Sequence, residues 1–245
     1  MKRTLHARGR DTILVRAEAL TKVYNSEGVP VRAVGGVSFT IKSGAFVAFI
    51  GPSGSGKTTL LNLIGTLDRP SGGKLIVAGT DVAALSRRQA ARFRGLNLGF
   101  VFQDFNLIPV LTAAENIEYP LRMVQKRPAA ERRERVRALL EAVGMADLAD
   151  KRPDQLSGGQ KQRVAVARAL VTAPKLVLAD EPTANLDSAT AKRVMELMRG
   201  MKDQFGTTFI FSTHDPRVMD VAETTFRLTD GTLDTGKPAR RARHD

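Results

Sequence analysis

The amino-acid sequence predicts an α/β fold: a mainly parallel sheet covered on both faces, with an antiparallel β layer at the N-terminus and a helical subdomain inserted into the core. Three observations carry that prediction. An apolar run at 45–50 ends in the glycine-rich octet GPSGSGKT and opens into the helix-like TTLLNLIGTL. Beyond residue 155 strands alternate with helices, and polar or acidic residues stand at the strands' C-terminal ends, as in a parallel sheet with helices on both faces. Between 104 and 155 the pattern turns helical, which makes that segment an insertion into the α/β core.

Taken in order, residues 12–24 are β-prone and partly alternating and lead into the turn-like NSEGVP; runs at 37–41 and 45–50 read as strands split by Lys42-Ser43-Gly44. After the octet's helix come a Gly-rich turn (SGGK), a short strand at 75–78, a helix over 86–94 and a strand at 98–102 that delivers Gln103. Thr112 and Glu115 form a capping box before AENIEYPLRM, and 128–143 carries Val136, Leu139, Leu140 and Val143 at helical spacing, with Gly144 as a stop. LSGGQ then opens a helix running to 171, followed by a strand at 175–179, a helix over 188–204 and a strand at 207–212. Asp230-Gly231 between TTFRLT and TLDT marks a final hairpin. The expected organisation is a single domain: an α/β core at 1–103 and 161–235, a helical subdomain at 104–160, and a basic, disordered tail at 236–245.

The 245 residues can bury a substantial core, and 42% hydrophobic with 26% charged residues is an ordinary globular composition. No apolar run approaches the roughly 18 to 20 residues that cross a bilayer. The first ten residues are basic but lack the apolar stretch of a secretory signal, and zero Cys excludes a disulfide framework, so the cytoplasm is the expected location. A net charge of +13 implies attraction to polyanions: nucleotides, nucleic acid or an anionic membrane surface. Much of the excess lies at the ends (Lys2, Arg3, Arg8, Arg10, then Lys237, Arg240, Arg241, Arg243) and in RRERVR at 132–137, where solvated, disordered ends are the plainer reading.

The octet Gly51, Pro52, Ser53, Gly54, Ser55, Gly56, Lys57, Thr58 fits G-x-x-x-x-G-K-[ST] between a strand and a helix, the P-loop pattern of a nucleotide-binding core. Backbone N–H groups wrap phosphates, Lys57 neutralises them, and the Thr58 hydroxyl reaches Mg²⁺. Phosphoryl transfer to water needs a further metal ligand and a group that orients the water. KLVLADE supplies both where an apolar strand breaks into acid: Asp180 for Mg²⁺, direct or through water, and Glu181 to polarise the attacking water. Alone, an Asp-Glu pair after a strand reads as a helix N-cap or solvated turn; beside a P-loop the metal-site reading prevails. His214, after TTFIFST, can reach a γ-phosphate and the catalytic water, or be a satisfied histidine. Gln103 can ligate Mg²⁺ through its carbonyl oxygen, or be a turn residue. In LSGGQ, Ser157, Gly158 and Gly159 open a helix whose free N–H groups and positive dipole end face outward. Either this is a glycine-rich helix start without a ligand or a second phosphate half-site, in which case two chains packed head to tail let each LSGGQ close on the other's P-loop.

GPSGSGKT, Gln103, LSGGQ, VLADE, Asn185-Leu186-Asp187 and His214 occur in the order and rough spacing of the ABC-transporter nucleotide-binding subunits, a resemblance spanning residues 13–235. That resemblance implies the ABC type of P-loop NTPase core, the cofactors ATP and Mg²⁺, and an ATP-sandwich homodimer. It implies Tyr24 stacking on adenine; Ser53 to Thr59 around the phosphates; Thr58, Gln103 and Asp180 at Mg²⁺; Glu181 as base and His214 as switch histidine, with Lys57 on the phosphates. Ser157, Gly159 and Gln160 would contact the other subunit's ATP, and Asp187 would lie at the dimer interface. GPSGSGKTTLLNLIGTLD, GFVFQDFNLIPVLTAAENIEYPL and LADEPTANLD further resemble the lipoprotein-releasing and macrolide-exporter (LolD/MacB-type) group. Departures are small: Ala184 stands where that group usually has Gly, and Thr58, which keeps the hydroxyl, where Ser is common.

The expected function is therefore an ATP-hydrolysing motor subunit beneath an integral membrane permease on a separate chain. Residues 102–111, with exposed Phe105, Leu107 and Ile108, are expected to line the groove that receives it. The alternative is a soluble ATPase of the same type acting on nucleic acid or ribosomes, against which stands the lack of a long coiled-coil insertion or a second ATPase core. A non-hydrolysing regulatory partner is a third class, which Lys57, Glu181 and His214 argue against.

Overall fold

The computed structural model describes residues 12–26, 28–215, 221–234 and 239–240. Two long strands, β1 (Ile13–Ser26) and β2 (Val29–Lys42), pair antiparallel, and β1 continues onto β4 (Gly72–Val77) and β5 (Thr80–Asp81) in a four-stranded sheet of order β2-β1-β4-β5. Along β2, Val37, Phe39 and Ile41 point inward while Ser38, Thr40 and Lys42 face solvent, the period-2 pattern of a half-buried strand. The sequence reading began this strand at 37 and made NSEGVP a turn. The strand instead begins at Val29, because Val29, Pro30 and Val31 pair with Ser26, Asn25 and Tyr24 at the end of β1, and a shift of register between Leu20 and Thr21 absorbs Gly36. Likewise the strand expected at 75–78 is half of a hairpin, turned through Ala78 and Gly79 at positive φ.

The second sheet runs in the order β10-β9-β3-β8-β7-β6. Its members are β3 (Phe46–Ile50), β6 (Leu98–Val101), β7 (Leu176–Asp180), β8 (Thr208–Thr213), β9 (Thr224–Thr229) and β10 (Thr232–Leu233). Pairing is parallel from β9 through β6, and β10 returns antiparallel through Asp230 and Gly231, both at positive φ. β3 and β8 are buried at every residue, as central strands of a doubly covered parallel sheet should be, although β8 carries Thr208, Ser212 and Thr213.

Alternation along these strands divides the apolar interior in two. Val47, Phe49, Leu176, Leu178 and Ile210 face the antiparallel layer and α1 (Lys57–Ile64), which packs Leu60, Leu61, Leu63 and Ile64 against them. Phe46, Ala48, Val177, Ala179, Phe209 and Phe211 face the opposite side. There they meet apolar residues of α3 (Ala113–Met123), α4 (Ala129–Ala142), α5 (Gly158–Leu170) and α6 (Ser188–Phe205). α2 (Arg87–Asn97) has no fully buried residue and touches the first of these clusters through half-buried Phe93. No helix among the described residues is long and apolar enough to cross a membrane.

Helix starts follow the sequence closely. Thr112 and Glu115 form the expected capping box, Ser86 caps α2 through Gln89, and Asp187 caps α6 by accepting from the amides of Ala189 and Thr190. Phe105, Leu107 and Ile108 depart from expectation: all three are half-buried, and Leu107 packs on the core, whereas Val110 is 71% exposed. Fully buried Asn116 pulls the segment inward, its amide bonding the Ile108 N–H and the carbonyls of Ile108, Leu111 and Thr112. The basic N-terminus and most of the 236–245 tail lie outside the described residues; Ala239–Arg240 forms a short strand, β11, on β9.

Candidate functional site

Four neighbouring parallel strands, β6, β7, β8 and β3, bring their C-terminal ends to one edge of the sheet, the place where ligands bind in such folds. Gln103 follows the first, Asp180 and Glu181 the second, His214 the third and the Gly51 to Lys57 loop the fourth. Ile50 pairs with Thr213 and Asp180 with Ser212, which aligns these ends in register.

Apolar β3 stops at Gly51, and the chain curls through positive φ at Gly51, Gly54 and Gly56 into α1. A β-carbon on Gly51 would fall 2.1 Å from the Leu228 carbonyl oxygen, and one on Gly56 would fall 2.2 Å from that of Ala33. Glycine is thus required twice, by conformation and by close approach to two neighbouring strands. Buried Lys57 donates to the carbonyls of Gly51 and Pro52, each at 2.9 Å, so its ammonium is curled into the loop. The Ser55 hydroxyl is buried without a partner, while Ser53, Gly54 and Thr58 are exposed and Thr59 is half-buried. A loop of first-turn amides, an ammonium and an orphan hydroxyl is a cradle for phosphate oxygens.

Two hydroxyls converge on one carboxylate oxygen: Thr58 donates to Asp180 Oδ1 at 3.0 Å and Ser212 at 2.5 Å. Ser212 Oγ also accepts from the Glu181 amide at 2.9 Å. Glu181 turns the chain at φ 44°, aiming its carboxylate back into the cluster, with Oε1 at 2.9 Å from His214 Nδ1 and 3.9 Å from Lys57 Nζ. Glu181 is largely buried, with 16% of its side chain exposed, against 62% for His214, so the histidine is the solvent-facing member of the pair. Lys57, Thr58, Asp180, Glu181 and His214 are therefore brought together as the sequence predicted. Among the described residues no group of three or more His, Cys, Asp or Glu is placed to hold a metal. The donor set is one hydroxyl and one carboxylate, the sparse protein complement that suits Mg²⁺, which keeps waters and phosphate oxygens.

Gln103 is exposed, and its main-chain carbonyl accepts from Asn185 Nδ2, which also bonds Asp104 Oδ1 at 3.0 Å. Ser157 caps α5 by accepting from the Gln160 amide, and Gln160 Oε1 accepts from the Ser157 amide at 2.8 Å. Gly158 faces Leu186 and Phe105, and Gly159 faces Thr190. Among the described residues no hydrogen bond links 157–160 to 51–59, so the two glycine-rich segments stand apart within one chain. Asp187 is exposed, and hydrogen bonds from the Thr190 side chain and from the Thr190 and Ala189 amides hold its carboxyl below the ordinary value. Tyr24 is partly exposed on β1; its hydroxyl donates to Asp68, and burial, with that bond, raises its pKa.

Three supporting residues have no place in the sequence analysis, and Asn185 enters it only as part of a motif, without the bonds it makes to Gln103 and Asp104. Ser212 is the first of the three. Gln162, fully buried on α5, donates to the Pro182 carbonyl at 2.7 Å and so joins the LSGGQ helix to the turn after Glu181. Arg168, farther along α5, donates to the carbonyls of Phe105 and Asn106, two residues at positive φ, and burial lowers its guanidinium pKa. Gln162 had a visible signal: it lies three and four residues before Ala165 and Val166, on the apolar face of α5.

A family model described as ABC transporter matches residues 34–184. The lipoprotein-releasing system ATP-binding protein LolD of Anaeromyxobacter dehalogenans is 47% identical over 231 residues, covering 94% of this chain and 97% of the relative. The macrolide export ATP-binding/permease protein MacB of Brucella melitensis is 46% identical over 220 residues, 90% of this chain but 34% of the relative's length. Among solved structures, a dimeric ATP-binding cassette in a post-hydrolysis state bound to ADP and Pi superposes with a TM-score of 0.84 at 39% identity, covering 93% of this chain and 99% of its own.

Proposed function

Because the chain belongs to the ABC transporter family as an ATP-hydrolysing cassette, we propose that it drives a membrane permease carried on a separate chain, by the mechanotransmission of the lipoprotein-release and macrolide-export group. The observation that carries the proposal is the convergence of Thr58, Ser212, Lys57 and His214 on the Asp180-Glu181 pair. In this reading two copies pack head to tail, and Ser157 to Gln160 of one cover the P-loop of the other. The protein works on the cytoplasmic face of the membrane through its permease.

The amides of 53–59 and Lys57 hold the triphosphate, and Tyr24 stacks on the adenine. Thr58, Asp180 and Gln103 would hold Mg²⁺, which supplies positive charge to the phosphate oxygens. Glu181 orients the attacking water and takes its proton, and His214, bonded to Oε1, fixes that carboxylate and faces the γ-phosphate. Hydrolysis breaks the bond to the γ-phosphate, and the departure of that phosphate removes the charge that bridged the two copies, so the interface reopens.

The test is to capture the Glu181→Gln variant with ATP from detergent-solubilised native membranes. The expected outcome is one co-purifying permease with several membrane spans, whose addition changes the wild-type ATPase rate. Recovery of RNA or ribosomal proteins, with ATPase activity stimulated by nucleic acid, would overturn the proposal.

A further inference from the structure

Tyr24 is fastened rather than free. Its hydroxyl donates to Asp68 Oδ2 at 2.7 Å. The other Asp68 oxygen accepts from Lys22 Nζ at 2.7 Å. That ammonium also donates to the Arg69 carbonyl at 2.8 Å and stands over the Tyr24 ring, 4.7 Å from its centroid. Lys22 and Tyr24, two apart on β1, share one face of the strand, while Asp68 follows α1, the helix that begins in the P-loop. Only 12% of the Lys22 side chain is exposed, so it is a fixed cation and not a solvated arm.

We propose that Asp68 is a positioning residue for the nucleobase: with Lys22 it locks Tyr24 in one orientation and leaves a single ring face for the adenine. This rests on the reading of Tyr24 as the adenine-stacking residue and goes beyond it. Lys22 occupies one face of the phenol ring by cation–π attraction, so a planar ligand has only the opposite face. A ring already held in its bound rotamer loses little conformational freedom when the base stacks, which strengthens binding of the base without touching the phosphates. Because Asp68 stands just beyond the C-terminal end of α1, the platform is tied to the same helix that begins at Lys57.

The test compares equilibrium binding of ATP with that of inorganic tripolyphosphate, which has no base, using the full chain. Tyr24→Ala should weaken ATP and leave tripolyphosphate unchanged. Asp68→Ala and Tyr24→Phe, which delete the same bond from its two sides, should each weaken ATP by about two- to tenfold and leave tripolyphosphate unchanged. Their double variant should be no worse than either single one. Asp68→Asn, whose amide oxygen still accepts from the phenol, should recover most of the loss. If Tyr24→Ala leaves ATP binding intact, the stacking role itself falls. If Tyr24→Ala weakens ATP but Asp68→Ala and Tyr24→Phe do not, or if they weaken both ligands equally, stacking survives and the positioning role is overturned. Should Asp68→Ala fail to fold, Tyr24→Phe decides the matter, since it keeps the ring and removes only the hydroxyl.

Discussion

His214 Nδ1 and Glu181 Oε1 lie 2.9 Å apart, with the ammonium of Lys57 3.9 Å from the same carboxylate oxygen. The carboxylate is thus oriented from two sides before any nucleotide arrives. Glu181→Gln keeps the shape and an oxygen for both neighbours but cannot accept a proton. Steady-state ATP hydrolysis should fall by about 10² to 10⁴-fold. Bound ATP should persist, and gel filtration with ATP should show a dimer; undiminished turnover would remove Glu181 from its role.

Ser212 is fully buried and serves two masters, donating to Asp180 and accepting from the Glu181 amide. Ser212→Ala strips both bonds and leaves the amide without its partner. Urea unfolding should show a loss of about 1–3 kcal/mol. Hydrolysis should also drop, because Asp180 then keeps only the Thr58 bond and the Glu181 backbone loses its anchor. A variant with native stability and native turnover would show that Thr58 alone positions Asp180.

Val110, at 71% the most exposed large apolar residue among the described ones, is the place to test whether residues 102–111 face a permease. Val110→Glu should abolish transport in the assembled complex while ATP hydrolysis by the isolated chain is unchanged. Leu107→Glu is the contrast: Leu107 packs on the core, so its thermal midpoint should fall before coupling can be judged. Transport that survives Val110→Glu would place the docking surface elsewhere.

Asp68 gives a pH dependence with a definite sign. Burial acts to raise its carboxyl, but hydrogen bonds from Lys22, Tyr24 and the Arg69 amide, with the Lys22 charge, outweigh burial and hold it below the ordinary value. A depressed folded-state pKa stabilises fully above the unfolded value, about 3.9, and the contribution is lost as pH falls through the folded one. The gap in urea midpoint between wild type and Asp68→Asn should therefore be constant from neutral pH to about pH 5 and close below about pH 4. A gap that widens on acidification would contradict the assignment.

The sequence disclosed the chemistry of the strand ends because each end is a local event: apolar β3 breaks at Gly51 and apolar β7 at Asp180. The capping box at Thr112 and the helix start at Ser157 were legible for the same reason, each being settled within four residues. The length of β2 was hidden, because what holds 29–36 extended is the register with β1, including bulges that no local pattern announces. The apolar look of 105–108 misled, since Arg168 and Asn116 reach that segment from 62 and 8 residues away and turn it inward. Ser212 read as one more residue of a buried strand; its meaning lies in its pairing with Asp180 across β7 and β8.

The capping box at the start of α5 also sorts hydrogen-bonding character by direction. Ser157 Oγ and Gln160 Oε1 both spend acceptor capacity inward, on each other's backbone amides. Outward there remain the Ser157 O–H, the first-turn amides of Gly158 and Gly159 and the Gln160 NH₂, all of them donors. Donors thus predominate on that face, and it suits an anionic acceptor better than a cation. If two copies pack head to tail as proposed, the preference for an anionic oxygen is set by how one helix begins, ahead of any encounter between them.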